Sequence, residues 1–203
     1  VKLDPDHAES WHRNLEWLQG VFERACALDK PLFNETLLLQ RPGESKLEMA
    51  GRLPEGVARM AEAFGPYGHF YKTQVPMLWA EAADGTVQRV SSPDTVRSAA
   101  VTMASAVDRP MLLLSAAVDF EQYAAQYALV CVLFAGPMCG RAYFKEAFTA
   151  SGTRDMDSLV QSFASIAVPR IRQIKSLAEK MSTPWGHRFT WMADEAKAAI
   201  DTD

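Results

Sequence analysis

Between Arg109 and Pro137 the chain reads RPMLLLSAAVDFEQYAAQYALVCVLFAGP, its most apolar stretch, with proline near both ends. The rest of the chain must be built around this segment, because so much apolar surface is unfavourable in water. A bilayer span needs roughly 20 mainly apolar residues with few charges. Asp119 and Glu121 fall near the middle of the stretch, where each would be costly in lipid. On a helix, Ser115, Asp119, Gln122 and Gln126 are spaced four, three and four apart and form one narrow polar stripe, with Glu121 off it. A helix that is apolar on most sides with one thin polar seam belongs in the centre of a bundle. The reading is a buried central helix over 111–135 and no membrane span.

The flanking segments extend this helical reading. DPDHAESWHRNLEWLQGVFERACALDK predicts a first helix from Asp6 to Leu28, with Asp4 as N-cap and Pro5 in its first turn. Trp11, Leu15, Leu18, Phe22 and Ala25 share one face of it, which Trp17, Val21 and Leu28 widen. PLFNETLLLQRPGESK fits a short strand or one helical turn before Pro42-Gly43, and PEGVARMAEAF predicts a second helix. GPYGHFYKTQVP reads as a Gly-rich loop whose Tyr67, His69, Phe70 and Tyr71 could edge a pocket. Over residues 75–91, Asp84-Gly85 permits a β-hairpin, but Met77 to Ala83 are mostly good helix formers and a helix is preferred. Ser92-Pro93-Asp94 opens a firm helix. Further helices are expected from Arg141 to Thr149, over 158–181 with a kink or a break just before Pro169, and at the end with Phe189, Met192, Ala196 and Ile200 on one side. The predicted fold is mainly α: a single domain over 1–203, a bundle of about seven or eight helices around 111–135. A short hairpin near 75–91 is the alternative to a helix there, and residues 1–5 and 201–203 are expected as flexible ends.

Charge and cysteine content narrow the function classes. The 21 basic and 25 acidic side chains give a net charge of −4. Such a balance argues against duplex DNA as the main partner, which clustered Lys and Arg would favour. Cys26, Cys131 and Cys139 are odd in number and irregularly spaced, which suits reduced thiols in a cytoplasmic protein better than a disulfide framework. The opening residues VKLDPDHAES show neither a basic leader nor an apolar core, so no signal peptide is expected in them.

Four constellations could carry chemistry. Asp119, Gln122 and Gln126 could orient the polar end of a small apolar ligand, although a satisfied polar layer between helices is the commoner use of such groups. Arg170, Arg172, Lys175 and Lys180 make the most basic local stretch and could touch phosphates or an acidic partner, against the default of a solvated helix face. Glu9 and His12 have the Glu-x-x-His spacing of di-iron bundles, but no second pair exists, so no metal site is expected. Cys139 precedes a helix near Arg141, where a thiol pKa can be lowered, without a base placed beside it. No phosphate-cradling glycine loop, HExxH, paired CxxC or nucleophile elbow occurs, and no cofactor is implied.

These readings favour a non-enzymatic interaction or assembly subunit of a larger complex, acting through apolar helix faces on a protein partner or on itself. A small-molecule binder (sensor or enzyme) with its site near Asp119 is the alternative. A subunit of a nucleoprotein complex, using Arg170, Arg172 and Lys175, is the third.

Overall fold

The computed structural model describes residues 2–151 and 155–188, and its architecture is mixed α/β. The elements in order are β1 (Lys2–Leu3), α1 (Ala8–Ala27), β2 (Phe33–Glu35), β3 (Leu37–Leu38), α2 (Lys46–Phe64), β4 (Phe70–Thr73), β5 (Trp79–Glu81) and β6 (Val87–Arg89). They continue with α3 (Pro93–Ala106), β7 (Met111–Leu113), α4 (Phe120–Val130), β8 (Gly136–Pro137), α5 (Arg141–Ser151), α6 (Met156–Ser162) and α7 (Val168–Met181). A four-stranded sheet in the order β2-β4-β7-β8 is parallel throughout, with Tyr71 opposite Asn34 and Met111, and Lys72 opposite Glu35 and Leu112. Side chains alternate across a sheet, so Asn34, Tyr71 and Met111 share one face, and all three are buried. The Asn34 side-chain amide donates to the Phe64 carbonyl at the end of α2, and the Tyr123 hydroxyl of α4 donates to the Leu113 carbonyl. Helix α3 packs against both α2 and α4. The connecting helices therefore form one layer on one face, which is how strands in consecutive order arrange when every crossover has the same hand.

The helical-bundle expectation is overturned, and the central helix over 111–135 with it. Met111–Leu113 is an inner strand, and Ser115 to Asp119 is a loop in which Ala116 (φ 46°) and Ala117 (φ 64°) are left-handed. A helix cannot run through two such residues. Asp119 instead caps a new helix, its carboxylate accepting from the Gln122 backbone N–H at 2.8 Å. The four-three-four spacing thus crosses a loop and does not describe one helix face. The helix preferred from Pro76 to Gly85 is replaced by the alternative hairpin: β5 and β6 pair antiparallel around Asp84-Gly85, with Gly85 at φ 81° and Asp84 accepting from the Thr86 N–H at 2.9 Å. The loop expected over 65–76 contains β4, the second strand of the sheet.

Helix boundaries moved in instructive ways. Helix α1 begins at Ala8 under a His7 cap, leaving Asp4 and Pro5 outside it. Helix α2 starts two turns before PEGVARMAEAF, where Ser45 and Glu48 form a reciprocal capping box, and it carries Pro54 internally. Ser92 caps α3 as expected, accepting from the Thr95 N–H at 3.0 Å. The break before Pro169 is a π-helical turn over Phe163–Ala167 between α6 and α7. The helix expected beyond Arg188, with Phe189, Met192, Ala196 and Ile200, lies outside the described residues.

Ahead of α1, Lys2 and Leu3 pair in parallel with Leu37 and Leu38, and Leu3 is buried. Asp4 then accepts from Arg41 Nε (2.7 Å) and Nη2 (2.8 Å), Asp6 from Arg59 (3.0 Å), and Arg52 bridges Glu44 at 2.6 Å. These ion pairs staple the amino-terminal strap to α2 and to the segment before it. The Arg41 hydrogen bonds hold the Asp4 carboxyl at about 2, below its ordinary 3.8. A depressed carboxylate stabilises the fold fully above its ordinary value and loses that contribution as pH falls through the folded one. Asp4→Asn is therefore expected to lower the melting temperature at neutral pH. The gap to the parent protein should close between about pH 4 and pH 2, as followed by circular dichroism across that range.

Candidate functional site

Parallel strands end on the same side of a sheet, so the loops that follow them gather there, and ligands bind there in α/β folds. A cleft of about 690 Å³ lies at that edge, within the usual size range for small-molecule sites. Its walls come from the segments after successive strands: Leu37 to Gln40 after β2, Gln74 and Met77 after β4, Ala116 to Asp119 after β7, and Arg141 and Lys145 after β8. The β5–β6 hairpin adds Trp79, Glu81 and Val87, the start of α2 adds Lys46 and Met49, and the strap adds Lys2.

The charges of this cleft do not balance. Lys2, Lys46, Arg141 and Lys145 face Glu81 and Asp119. Lys46 is committed to Glu81 at 2.7 Å, and that contact holds the Glu81 carboxyl below its ordinary range. Asp119 is committed to the α4 cap. Lys145 stands 3.8 Å from Glu146, whose carboxylate is already engaged by Arg170 at 2.5 Å. Lys2, Arg141 and Lys145 thus leave an excess of positive charge in a chain whose net charge is −4.

The residues proposed from the polar stripe separate into two kinds. Asp119 and Gln122 line the cleft, while Gln126 lies behind its wall. The Gln122 carbonyl accepts from the Trp79 N–H at 2.8 Å, and the Gln126 amide donates to the Pro76 carbonyl at 2.9 Å. Both side chains fasten the segment after β4 to α4 and so act as architecture. Ser115 is buried at the end of β7, against Cys139. Burial pushes the Cys139 thiol up, and the hydrogen bonds from Ser115 and nearby backbone amides offset this only in part. That environment opposes a thiolate nucleophile at neutral pH.

Gln74 escaped the sequence reading. It follows β4 directly, is only 2% exposed, and lines the cleft. Its side-chain nitrogen has no hydrogen-bond partner, and among the described residues it is the one buried unpartnered polar atom at the cleft. Such groups are rare in folded proteins and mark strain, water or ligands. On the same strand Lys72 is 20% exposed and pairs with Glu35 of β2 at 2.5 Å. In the sequence Lys145 stands only as part of a helix, and Arg141 as its start and the charge near Cys139. No local pattern marks any of these four as cleft residues, because each gains its meaning from where the short strands, and the helix that follows β8, place it in the fold.

The basic stretch does not converge. Arg170 lies over the Phe120 ring (4.9 Å) and bonds Glu146, with Glu121 at 3.9 Å, while Lys175 pairs with Glu179 at 3.5 Å. Arg172 is exposed on α7. Glu9 and His12 are exposed on α1, and no cluster of potential metal ligands occurs among the described residues. No described helix is long and apolar enough to cross a membrane. No protein-family model matches the chain, and no curated protein matches it in sequence.

The fastening role of Gln122 has a measurable consequence. Gln122→Ala leaves the part-buried Trp79 N–H without its acceptor, a loss of about 1–3 kcal/mol. Urea unfolding is expected to show that decrease, with hydrogen exchange at Trp79 and its neighbours accelerated before exchange in β4.

Proposed function

We propose that this chain binds a small anionic molecule in the cleft at the carboxyl ends of its parallel strands, as a sensor or as the substrate-binding part of an enzyme. The observation that carries this reading is the unbalanced positive charge of Lys2, Arg141 and Lys145 inside a concave site of an acidic chain. Arg offers a planar fork suited to carboxylate or phosphate oxygens, and Lys adds a mobile point charge. Trp79, Met77 and Val87 supply apolar wall against which a carbon skeleton can rest. Compared with a purely apolar ligand held between helices, an anion answers both the charge and the position of the cleft.

The test is calorimetric titration with inorganic phosphate and with succinate at low ionic strength. The parent protein is expected to bind at least one of them. The Arg141→Gln, Lys145→Gln double variant is expected to bind about tenfold or more weakly, since each charge-assisted contact contributes about 1.5–3 kcal/mol. Equal affinity in parent and variant would remove the reading.

A self-association reading has its own observation. Met156 and Val160 stand one turn apart on α6 and are 70% and 60% exposed. Paired apolar side chains on an exposed helix face suit a contact with another chain. Sedimentation velocity across a concentration series is expected to show self-association that Val160→Lys abolishes. A monomer at every concentration would set this second reading aside.

A further inference from the structure

We infer that Gln74 determines the specificity of the cleft by donating its side-chain N–H groups to an uncharged oxygen of the ligand, which makes the ligand a hydroxy or oxo acid and not a simple anion. This rests on the anionic reading above for the acidic part and on separate observations for the oxygen.

The first observation is the unsatisfied donor, buried to 2% exposure and lining the cleft. A buried donor without an acceptor is destabilising, and an acceptor brought to it is correspondingly favourable. The second is that the chain has no easy means of satisfying it. The segment after Gln74 is fixed by Gln126 on the Pro76 carbonyl and by Gln122 on the Trp79 N–H, and Val75, Pro76 and Leu78 are buried. The third concerns charge. Lys72, the cation on β4, is already neutralised by Glu35, while the cations that line the cleft are Lys2 on the strap, Lys46 on α2, and Arg141 and Lys145 on α5. A charged oxygen beside so buried a donor would lose its hydration, a cost that one neutral amide offsets only in part, whereas a hydroxyl or carbonyl oxygen needs only the amide donor. Sites built around such a donor discriminate strongly against analogues lacking the acceptor.

Side-chain amide resonances in 15N-correlated NMR read this directly, with the Gln74 pair assigned by its loss in Gln74→Leu. Three probes separate the claims: succinate carries the charges alone, malate adds one hydroxyl, and glycerol carries hydroxyls alone. Both diacids are expected to shift the backbone amides of residues 140–145, and malate alone among the diacids to shift the Gln74 side chain. Malate should bind about tenfold tighter than succinate, with the ratio falling to about one in Gln74→Leu and in the shorter Gln74→Asn. If both diacids shift residues 140–145 but Gln74 stays still and the ratio is near one, the inference fails and the anion site stands. If Gln74 answers malate or glycerol while residues 140–145 stay silent, the anion reading fails and the acceptor role stands. Silence of Gln74 toward all three probes overturns the inference, and this titration of the parent protein decides even where a variant does not fold.

Discussion

The pairing of β4 between β2 and β7 is the constraint on which the rest depends. Two parallel partners commit both edges of a four-residue strand and force the chain to return on the same side after each strand. The consecutive order β2-β4-β7-β8 never reverses, so it leaves no switch point inside the sheet, and the place where loops converge is its carboxyl edge. The ligand cleft proposed for this protein lies along that edge. The opposite face carries Phe33 stacked on Phe70 at 4.5 Å and the Lys72–Glu35 pair, chemistry different from that of the helix-covered face.

Two accessory pieces shape the mouth, and both are held by charge. The strap reaches it through Lys2 while Asp4 and Asp6 grip Arg41 and Arg59. The hairpin reaches it through Trp79 and Val87 while Glu81 grips Lys46. The hairpin's grip is solvent-exposed on both sides, so it holds weakly and is screened by salt. The strap is better fixed, because Arg41 makes two bonds to a carboxylate that is largely covered. The walls of the cleft are therefore held differently: β4 is paired on both edges, the strap is stapled by largely covered ion pairs, and the hairpin beyond Trp79 relies on the exposed Glu81–Lys46 contact.

The contrast between what was and was not legible follows from strand length. Ser92-Pro93 announced α3 because a cap is a local device, and the Ser45-x-x-Glu48 box could have announced α2 by the same logic. The strands of the central sheet span only two to four residues, too few to display a period. Met111-Leu112-Leu113 is only three residues long, and a short apolar run reads as helix or buried strand equally well. Asp119 was seen, but as a member of a stripe. The Asp-x-x-Gln spacing also fits a helix start, and that reading would have cut the false central helix in two. The site was less legible still, since Gln74, Arg141 and Lys145 meet only after the crossovers have brought distant strand ends to one edge.

The stripe was nonetheless pointing at the site by an indirect route. Gln122 and Gln126 each spend one amide atom on the backbone that follows Gln74. A neutral amide suits this task, since it can accept or donate in a buried place without the desolvation cost of a charge. By fixing Pro76 and Trp79, the two residues remove the local freedom with which Gln74 could turn to a partner of its own. An unsatisfied donor persists only where its surroundings over-determine it, and here the over-determination can be named bond by bond. The hydrogen bonds of Gln122 and Gln126 thus help to keep the buried Gln74 donor without a partner within the chain.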